Sequence, residues 1–423
     1  MFASIVTQFN ALLFFLSLAL FLLLFDLYAW QALKTMAKSW NIKTQKTLFV
    51  SYWSITTLFI TLLVLRPFIQ LEKFNSSFLM LLQVFGVILF ISKIFVIVPL
   101  FIEDLVRGVT WVVNKFSNSD SEPVSMHPRR GFLSKTGLLM GALPFLSMTW
   151  GLVKGAHNYR IRRVRIKSHR IPKSFDGFKI IQLSDIHSGS FWDKSAVERG
   201  IRMINECKAD LVLFTGDLVN NTATELEPWV QTFKQIKAQY GVYSVLGNHD
   251  YGDYVAWNSV DDKKANMQQL MELQKQMGWT VLNNKNVSIE KEQDRIRLIG
   301  VENWSAKSNF PKYGRLSEAV IGVDPNEFKI LMSHDPSHWR AEVLKHEADI
   351  DLTLSGHTHG FQFGIETHGL KWSPVKYVYP EWAGLYTVNQ KKLYVNRGFG
   401  YIGYPGRLGI LPEITEITLE SDS

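Results

Sequence analysis

Residues 348–360 read ADIDLTLSGHTHG. An apolar run, 350–354, leads into a glycine and two histidines one residue apart. Short β-prone runs bounded by turn residues read as strands, so His357 and His359 stand just beyond a strand end. On an ideal strand, residues two apart face the same way. That would aim both rings at one metal ion. Gly356 permits a turn before them, so the two histidines read better as loop residues free to diverge.

Four other stretches share this layout. FKIIQLSDIH (178–187) ends in Asp185 and His187, and ADLVLFTGDLV (209–219) carries Gly216 and Asp217. GVYSVLGNHDY (241–251) carries Asn248, His249 and Asp250, and FKILMSHDP (328–336) ends in His334. From about residue 160 onward such runs alternate with polar, helix-compatible stretches, which is an α/β pattern. In α/β sheets ligands bind beyond the carboxyl ends of strands, so five such ends can converge on one site.

The residue types indicate the chemistry. Asp185, Asp217, Asn248, His187, His334, His357 and His359 supply two carboxylates, an amide and four imidazoles. That mix suits borderline divalent metals such as Mn, Fe or Zn. It is too many ligands for one tetrahedral zinc. Shared between two ions, with Asp217 bridging, it leaves room for water at each. Two metals about 3.5–4 Å apart are the usual apparatus of phosphoester hydrolysis.

In chain order the motifs are D-x-H, G-D, G-N-H-D, a lone H and G-H-x-H. This series resembles the calcineurin-like metallophosphoesterase superfamily, with no substitution at a ligand position. By average composition G-N-H-D alone arises in roughly one chain of this length per thousand, so all five in order are highly specific. The resemblance runs from about residue 160 to the C-terminus. It is closest to membrane-linked bacterial members, which often carry a late N-R-G followed by P-E-I. Those match Asn396, Arg397 and Gly398, and residues 412–414.

The resemblance implies an α/β/β/α sandwich of two facing sheets. It implies that Asp185, His187 and His359 hold one metal, that Asn248, His334 and His357 hold the other, and that Asp217 bridges them. A water between the metals is then the nucleophile. His249 is implied as the general acid, with Asp250 orienting it. Asn220 and Asn221 depart from the pattern, since many relatives have an acid there. Arg397 and Arg407 are candidates either for contacting substrate phosphate or for structural pairing.

The first third of the chain has a different character. A spanning helix needs roughly 20 apolar residues, and segments 5–24, 47–65, 78–102 and 136–153 approach or reach that. Lys34, Lys38, Lys43 and Lys46 follow the first segment, which places that connection in the cytoplasm. Residues 66–75 then lie outside, Arg129 and Arg130 inside, and everything after 153 outside. The stretch PRRGFLSKTGLLMGALPF (128–145) reads either as a twin-arginine-like export signal or as the basic flank of a span. Asp26 and Lys93, in or at the edge of apolar segments, are expected to snorkel to the interface rather than pair.

Residues 154–173 carry Arg160, Arg162, Arg163, Arg165, Lys167 and Arg170 without an acid. By the positive-inside rule such a stretch belongs in the cytoplasm, against the outward placement; yet 159–166 alternates as a first strand would, with the arginines along one face of this basic juxtamembrane linker, where they would attract anionic headgroups. The chain as a whole, with 46 Lys and Arg against 38 Asp and Glu, has a formal charge of +8. Its one cysteine, Cys207, excludes an internal disulfide and reads as a small buried apolar residue.

The expected organisation is a transmembrane region of about four helices over 1–153, the basic stretch 154–173, and a catalytic domain over 174–423. The expected function is that of a membrane-anchored, dinuclear metal-dependent phosphoesterase. Its substrate is a phosphomono- or phosphodiester, lipid or lipid-linked, and its cofactors are two divalent ions (Mn, Fe or Zn). Its partners are the substrate and the membrane, not nucleic acid. Its place is the cell membrane, multi-pass, with the catalytic domain on the outer side. Two other readings stay open: a hydrolase of soluble nucleotides or nucleic acid, and a metal-binding membrane sensor without turnover.

Overall fold

The computed structural model describes residues 2–65, 76–116, 127–367 and 369–422. The chain divides into two compact units, Met1–Trp150 and Gly151–Ser423. The first is built from α1 (Phe2–Met36), α2 (Ile42–Leu65), α3 (Ser76–Phe116) and α4 (His127–Val153), the last three residues of α4 belonging to the second unit. Stretches long and apolar enough to cross a membrane run over Leu12–Ser39, Ile42–Leu65, Leu81–Phe116 and Arg130–His157. Helices suit that setting because every backbone group is paired within the segment. The connections 66–75 and 117–126, on which part of the topology expectation rests, lie outside the described residues.

Asp26 and Lys93 do not snorkel. Lys93 Nζ is bonded to Asp26 Oδ1, which also accepts from Tyr52 Oη at 2.7 Å and Thr56 Oγ1 at 2.8 Å. One carboxylate thus ties α1, α2 and α3 together. An unpaired charge inside a bilayer costs on the order of several kcal/mol. Helix packing that brings four polar groups together removes the incentive to reach for the interface.

The second unit has fourteen strands among its described residues. The first seven are β1 (Arg160–Ser168), β2 (Lys179–Leu183), β3 (Leu211–Phe214), β4 (Val242–Ser244), β5 (Trp279–Val281), β6 (Lys285–Lys291) and β7 (Asp294–Gly300). The rest are β8 (Lys329–Met332), β9 (Leu352–Ser355), β10 (Ile365–Thr367), β11 (Leu370–Trp372), β12 (Gly384–Val388), β13 (Lys391–Val395) and β14 (Glu413–Ser421). Two six-stranded sheets form, in the orders β1-β14-β2-β3-β4-β5 and β12-β13-β9-β8-β7-β6, while β10 and β11 make a separate hairpin.

Strands β2 to β5 are parallel neighbours in the first sheet, and β7, β8, β9 and β13 in the second. Parallel strands are covered on both faces and therefore mostly apolar, as in LVLF of β3 and the Ile330, Leu331 and Met332 run of β8. Ile180, Leu211 and Leu213 pack against Ile330, Met332 and Leu354 of the other sheet. The alternate residues Ile181, Val212 and Phe214 cluster with Val197, Ile201 and Leu270 of the helices Lys194–Glu206 and Val260–Gln276. Behind the second sheet, Ile299, Leu331 and Leu393 meet Trp339 and Val343. The layers are α/β/β/α.

The basic stretch is not a free linker. It becomes β1, whose parallel partner β14 sets Glu416 opposite Arg163 and Glu420 opposite Lys167. Arg162 pairs with Glu366, Arg163 with Glu416, Arg165 and Lys167 with Glu420, and Arg170 with Asp349 and Asp351. Its charge is largely answered within the fold, which weakens its reading as a patch for anionic headgroups.

Candidate dinuclear metal site

The five motif strands β2, β3, β4, β8 and β9 end along a common edge of the two sheets. The residues that follow turn sharply. Asp185, His187, Asp217, His357 and His359 all have φ between 50° and 70°, the left-handed region that side chains other than glycine seldom adopt. Strain of this kind persists where the surroundings hold it, and it clusters at functional sites. Glycines supply the room. A Cβ on Gly247 would meet Asp217 Oδ1 at 2.2 Å, and one on Gly356 would meet Asp185 Oδ2 at 2.3 Å.

The turns bring two donor groups together. Asp185, His187 and His359 offer atoms within 4.8 Å of one another, and so do Asp217, His334 and His357. In the first group His187 Nε2 and His359 Nε2 are 3.0 Å apart, and Asp185 Oδ1 is 3.2 Å from His359 Nε2. In the second, Asp217 Oδ2 is 3.1 Å from His334 Nε2, while His357 Nδ1 is 2.9 Å from Asn248 Oδ1. Asp217 Oδ2 also lies 3.6 Å from His187 Nε2, between the groups. The main-chain N–H of His357 donates to both oxygens of Asp185, which joins the two sheets here.

Hydrogen bonds behind the donors aim them. His334 Nδ1 donates to Thr215 O at 2.7 Å, which leaves its Nε2 lone pair facing Asp217. Asn248 Nδ2 donates to Tyr254 Oη at 2.9 Å, so the amide oxygen faces inward. The set thus turns lone pairs toward one another with too few protons to satisfy them. These residues fit a pair of divalent cations.

The electrostatics agree. Burial lowers His187 to about 3, keeping it a neutral donor. Burial also opposes charge on His334, but the Asp217 and Asp185 carboxylates override it and push the ring up to about 10, so a cation bound there would take the place of the Nε2 proton. Burial works to raise Asp217, yet the imidazoles of His334 and His249 hold it well below the usual carboxylate range. Buried carboxylates here call for positive charge.

His249 stands beside the two groups without joining either. Its N–H donates to Asp217 Oδ1 at 2.9 Å, and its Nδ1 lies 2.7 Å from Asn220 O. A nitrogen facing a carbonyl carries the hydrogen, so Nε2 is left as the nitrogen able to exchange a proton. The ring is half-buried, 5.0 Å from that of His187 and 4.7 Å from that of Tyr254.

Residues 178–361 match the family described as "Calcineurin-like phosphoesterase", and residues 10–156 match "Probable Calcineurin-like phosphoesterase, transmembrane domain". The "Uncharacterized metallophosphoesterase YkuE" of Bacillus subtilis (strain 168) is 33% identical over 261 residues, 60% of this chain and 84% of that protein. The chain belongs to the calcineurin-like metallophosphoesterases. Two vertebrate proteins, each called "Transmembrane protein with metallophosphoesterase domain", are similar as well. The Danio rerio protein is 31% identical over 280 residues, 64% of this chain and 60% of its own length. The Bos taurus protein is 32% identical over 285 residues, 64% and 59% respectively. The chain therefore spans about 60% of the length of these vertebrate relatives.

In this metallophosphoesterase Asp250 does not orient His249, contrary to expectation. Its carboxylate accepts from the N–H groups of Asp217, Leu218, Val219 and Gly247 at 2.8–3.2 Å. Fully buried, it serves the turn that carries Asp217. Burial and then the Asp217 charge push it up to about 7, against the pull of those donors. His249 is held instead by a main-chain carbonyl, which no side-chain motif announces.

Three residues escaped the sequence reading. Glu225 accepts from the N–H groups of Asn220, Asn221 and Thr222 at 2.6–3.2 Å. It fixes the loop whose carbonyl holds His249. The T-x-x-E spacing of a capping box was its legible signal. Tyr379 Oη lies 2.9 Å from His357 Nε2 and donates to Asp335 Oδ2 at 3.1 Å. Asp335 adjoins His334, but Tyr379 belongs to no motif.

Of the two open readings for Arg397 and Arg407, the structure takes the structural one. Arg397 is bonded to Glu413 and Glu366, and Arg407 to the carbonyls of Gly400 and His359. Both are buried. Cys207 is buried at the end of the helix Lys194–Glu206. His368 lies outside the described residues.

Proposed function

We propose that this chain is a membrane-anchored, dinuclear metal-dependent phosphoesterase whose substrate is a phosphomono- or phosphodiester on a lipid or lipid-linked molecule. One observation carries the reading: two donor groups lie side by side with Asp217 Oδ2 3.6 Å from His187 Nε2 of the other group and His249 beside them, in a chain that also has four apolar helices. Asp185, His187 and His359 would hold one divalent ion (Mn, Fe or Zn), Asn248, His334 and His357 the other, and Asp217 both. When bound, such ions acidify water and neutralise phosphoryl charge.

The chain's own residues do the rest. His249, anchored through Nδ1 on Asn220 O, presents Nε2 to give a proton to the leaving oxygen. Asp250 keeps the Asp217 turn in place, and Tyr379 with Asp335 keeps the His357 ring in place. A unit that cannot leave the bilayer meets lipid phosphates at high local concentration, which favours that substrate class.

Metal analysis after loading with Mn²⁺ tests the ligand assignment. His357→Ala and His359→Ala are each expected to retain about one ion per chain. Adding Asn248→Ala to His357→Ala should cost no further ion, whereas adding it to His359→Ala should remove the one remaining. The opposite pattern overturns the assignment. Faster turnover of free nucleotides than of vesicle-borne esters would replace the lipid reading by the soluble one.

We place the catalytic unit on the extracytoplasmic side. The support is the lysine cluster Lys34, Lys38, Lys43 and Lys46 between the first two spans. A reporter active only in the cytoplasm, fused after Ser423, is expected to be silent. A fully active reporter puts the unit inside.

A further inference from the structure

The hairpin β10–β11 is built inside out. Ile365 pairs with Trp372, Glu366 with Lys371 and Thr367 with Leu370. Glu366 turns into the unit, bonded to Arg162 at 2.6 Å and Arg397 at 2.7 Å. Lys371, opposite it, carries its Nζ back to Ala383 O and over the Trp382 ring. The other face presents Ile365 and Leu370, 47% and 52% exposed. Phe363, two residues before Ile365 and 44% exposed, shares that face, with its ring 6.5 Å from that of Trp372. In the adjoining turns Phe361, Tyr377 and Val378 are exposed as well, at 60%, 75% and 53%. A hairpin facing water alternates the other way, polar outward and apolar inward. A contiguous apolar face of this kind marks contact with another apolar medium.

The position of this face says which medium. Gly151 lies inside the fourth candidate span, Arg130–His157. Its carbonyl accepts from Arg407 N–H at 3.1 Å. The next residue, Leu408, donates to Gln362 O at 2.7 Å and accepts from Gly364 N–H at 2.9 Å. A span residue and the exposed face are thus separated by two consecutive residues of one loop.

We propose that Phe361, Phe363, Ile365, Leu370, Tyr377 and Val378 rest in the interfacial layer of the bilayer that the chain's own helices cross. Aromatic side chains with a polar tip, such as Tyr377, suit that layer. His359 precedes Phe361 by two residues, and Tyr379, bonded to the His357 ring, follows Val378. The loops that carry the donor atoms therefore also carry the contact, which holds the donor site at headgroup level. That consequence for the substrate rests on the phosphoesterase reading above; the surface itself does not.

The test uses the full chain in vesicles of phosphatidylcholine and phosphatidylglycerol. Cys207→Ser removes the one native thiol, and nitroxide labels are placed singly through Leu370→Cys, Tyr377→Cys and Ile321→Cys. Ile321 is 73% exposed and outside the face. Labels at 370 and 377 are expected to be several-fold more accessible to oxygen, relative to a water-soluble nickel chelate, than the label at 321. Equal ratios at all three positions overturn the proposal. So does strong dipolar broadening between labels at 370, which would mean that a second copy covers the face.

A second arm separates the surface from the chemistry. Phe363→Glu with Leu370→Glu is expected to slow turnover of a vesicle phospholipid while sparing a soluble bis-aryl phosphodiester. Equal loss on both overturns the substrate consequence. Inactivity of the wild type on both strikes the phosphoesterase reading instead, and the labels still decide the surface.

Discussion

Replacing Asp217 by alanine is expected to remove both metal ions together and to lower kcat/KM by about 10³–10⁴. The geometry makes this the largest single effect. Asp217 Oδ2 is 3.1 Å from His334 Nε2 and 3.6 Å from His187 Nε2, so one carboxylate reaches both donor groups. Its other oxygen accepts the N–H of His249 at 2.9 Å, which ties the proposed proton donor to the same residue. Asp217→Asn keeps the shape and loses the charge, so weaker metal binding and an intermediate rate are expected from it. Metal analysis and steady-state rates on a bis-aryl phosphodiester read the outcome. An Asp217→Ala protein that keeps two ions, or retains more than about a tenth of the wild-type rate, would show that the groups do not share this ligand.

Replacing His249 by alanine should cost about 10²–10⁴ in kcat on a phosphoester with an alkoxide leaving group. On an ester whose leaving group departs without a proton, such as a nitrophenolate, the loss should stay within about tenfold. The dependence on leaving group is the diagnostic result. A general acid matters in proportion to the basicity of what it protonates, whereas a merely structural histidine would depress both rates alike. Metal content should match the wild type, because the His249 ring belongs to neither donor group. Equal losses on both esters, or loss of an ion, would remove His249 from the role of acid.

The candidate metal-site residues were legible because each follows a strand. A buried parallel strand is mostly apolar, so a carboxylate or imidazole two or three residues past LVLF or LTLS declares itself. Glycine beside a motif residue was legible for the same kind of reason, since at Gly247 and Gly356 any side chain would occupy the carboxylate's space. Partner choice was less legible. The arginines of 160–170 looked like a surface charge in one dimension, and only the register of β1 against β14 showed acids opposite them. Asp26 and Lys93 lie 67 residues apart, and their pairing needed three helices at one depth. Asp250 turns away from His249 because proximity in sequence does not fix which backbone N–H groups a carboxylate meets.

By itself, the sequence determined the membrane-length apolar helices, the α/β character of the rest and the set of donor residues, because hydrophobic periodicity and motif order are local properties. Tertiary structure alone decided which donor atoms of the two groups face one another beside Asp217. It also decided which carbonyl anchors His249, and that the face of β10–β11 turns its apolar side outward. Each of these depends on contacts between strands and loops far apart in the chain. Residues 357 and 359 could have gripped one ion or two. The left-handed turn at both positions, φ 70° and 50°, set beside Asp335 and Tyr379 on one side and Arg407 on the other, sends their rings into separate groups.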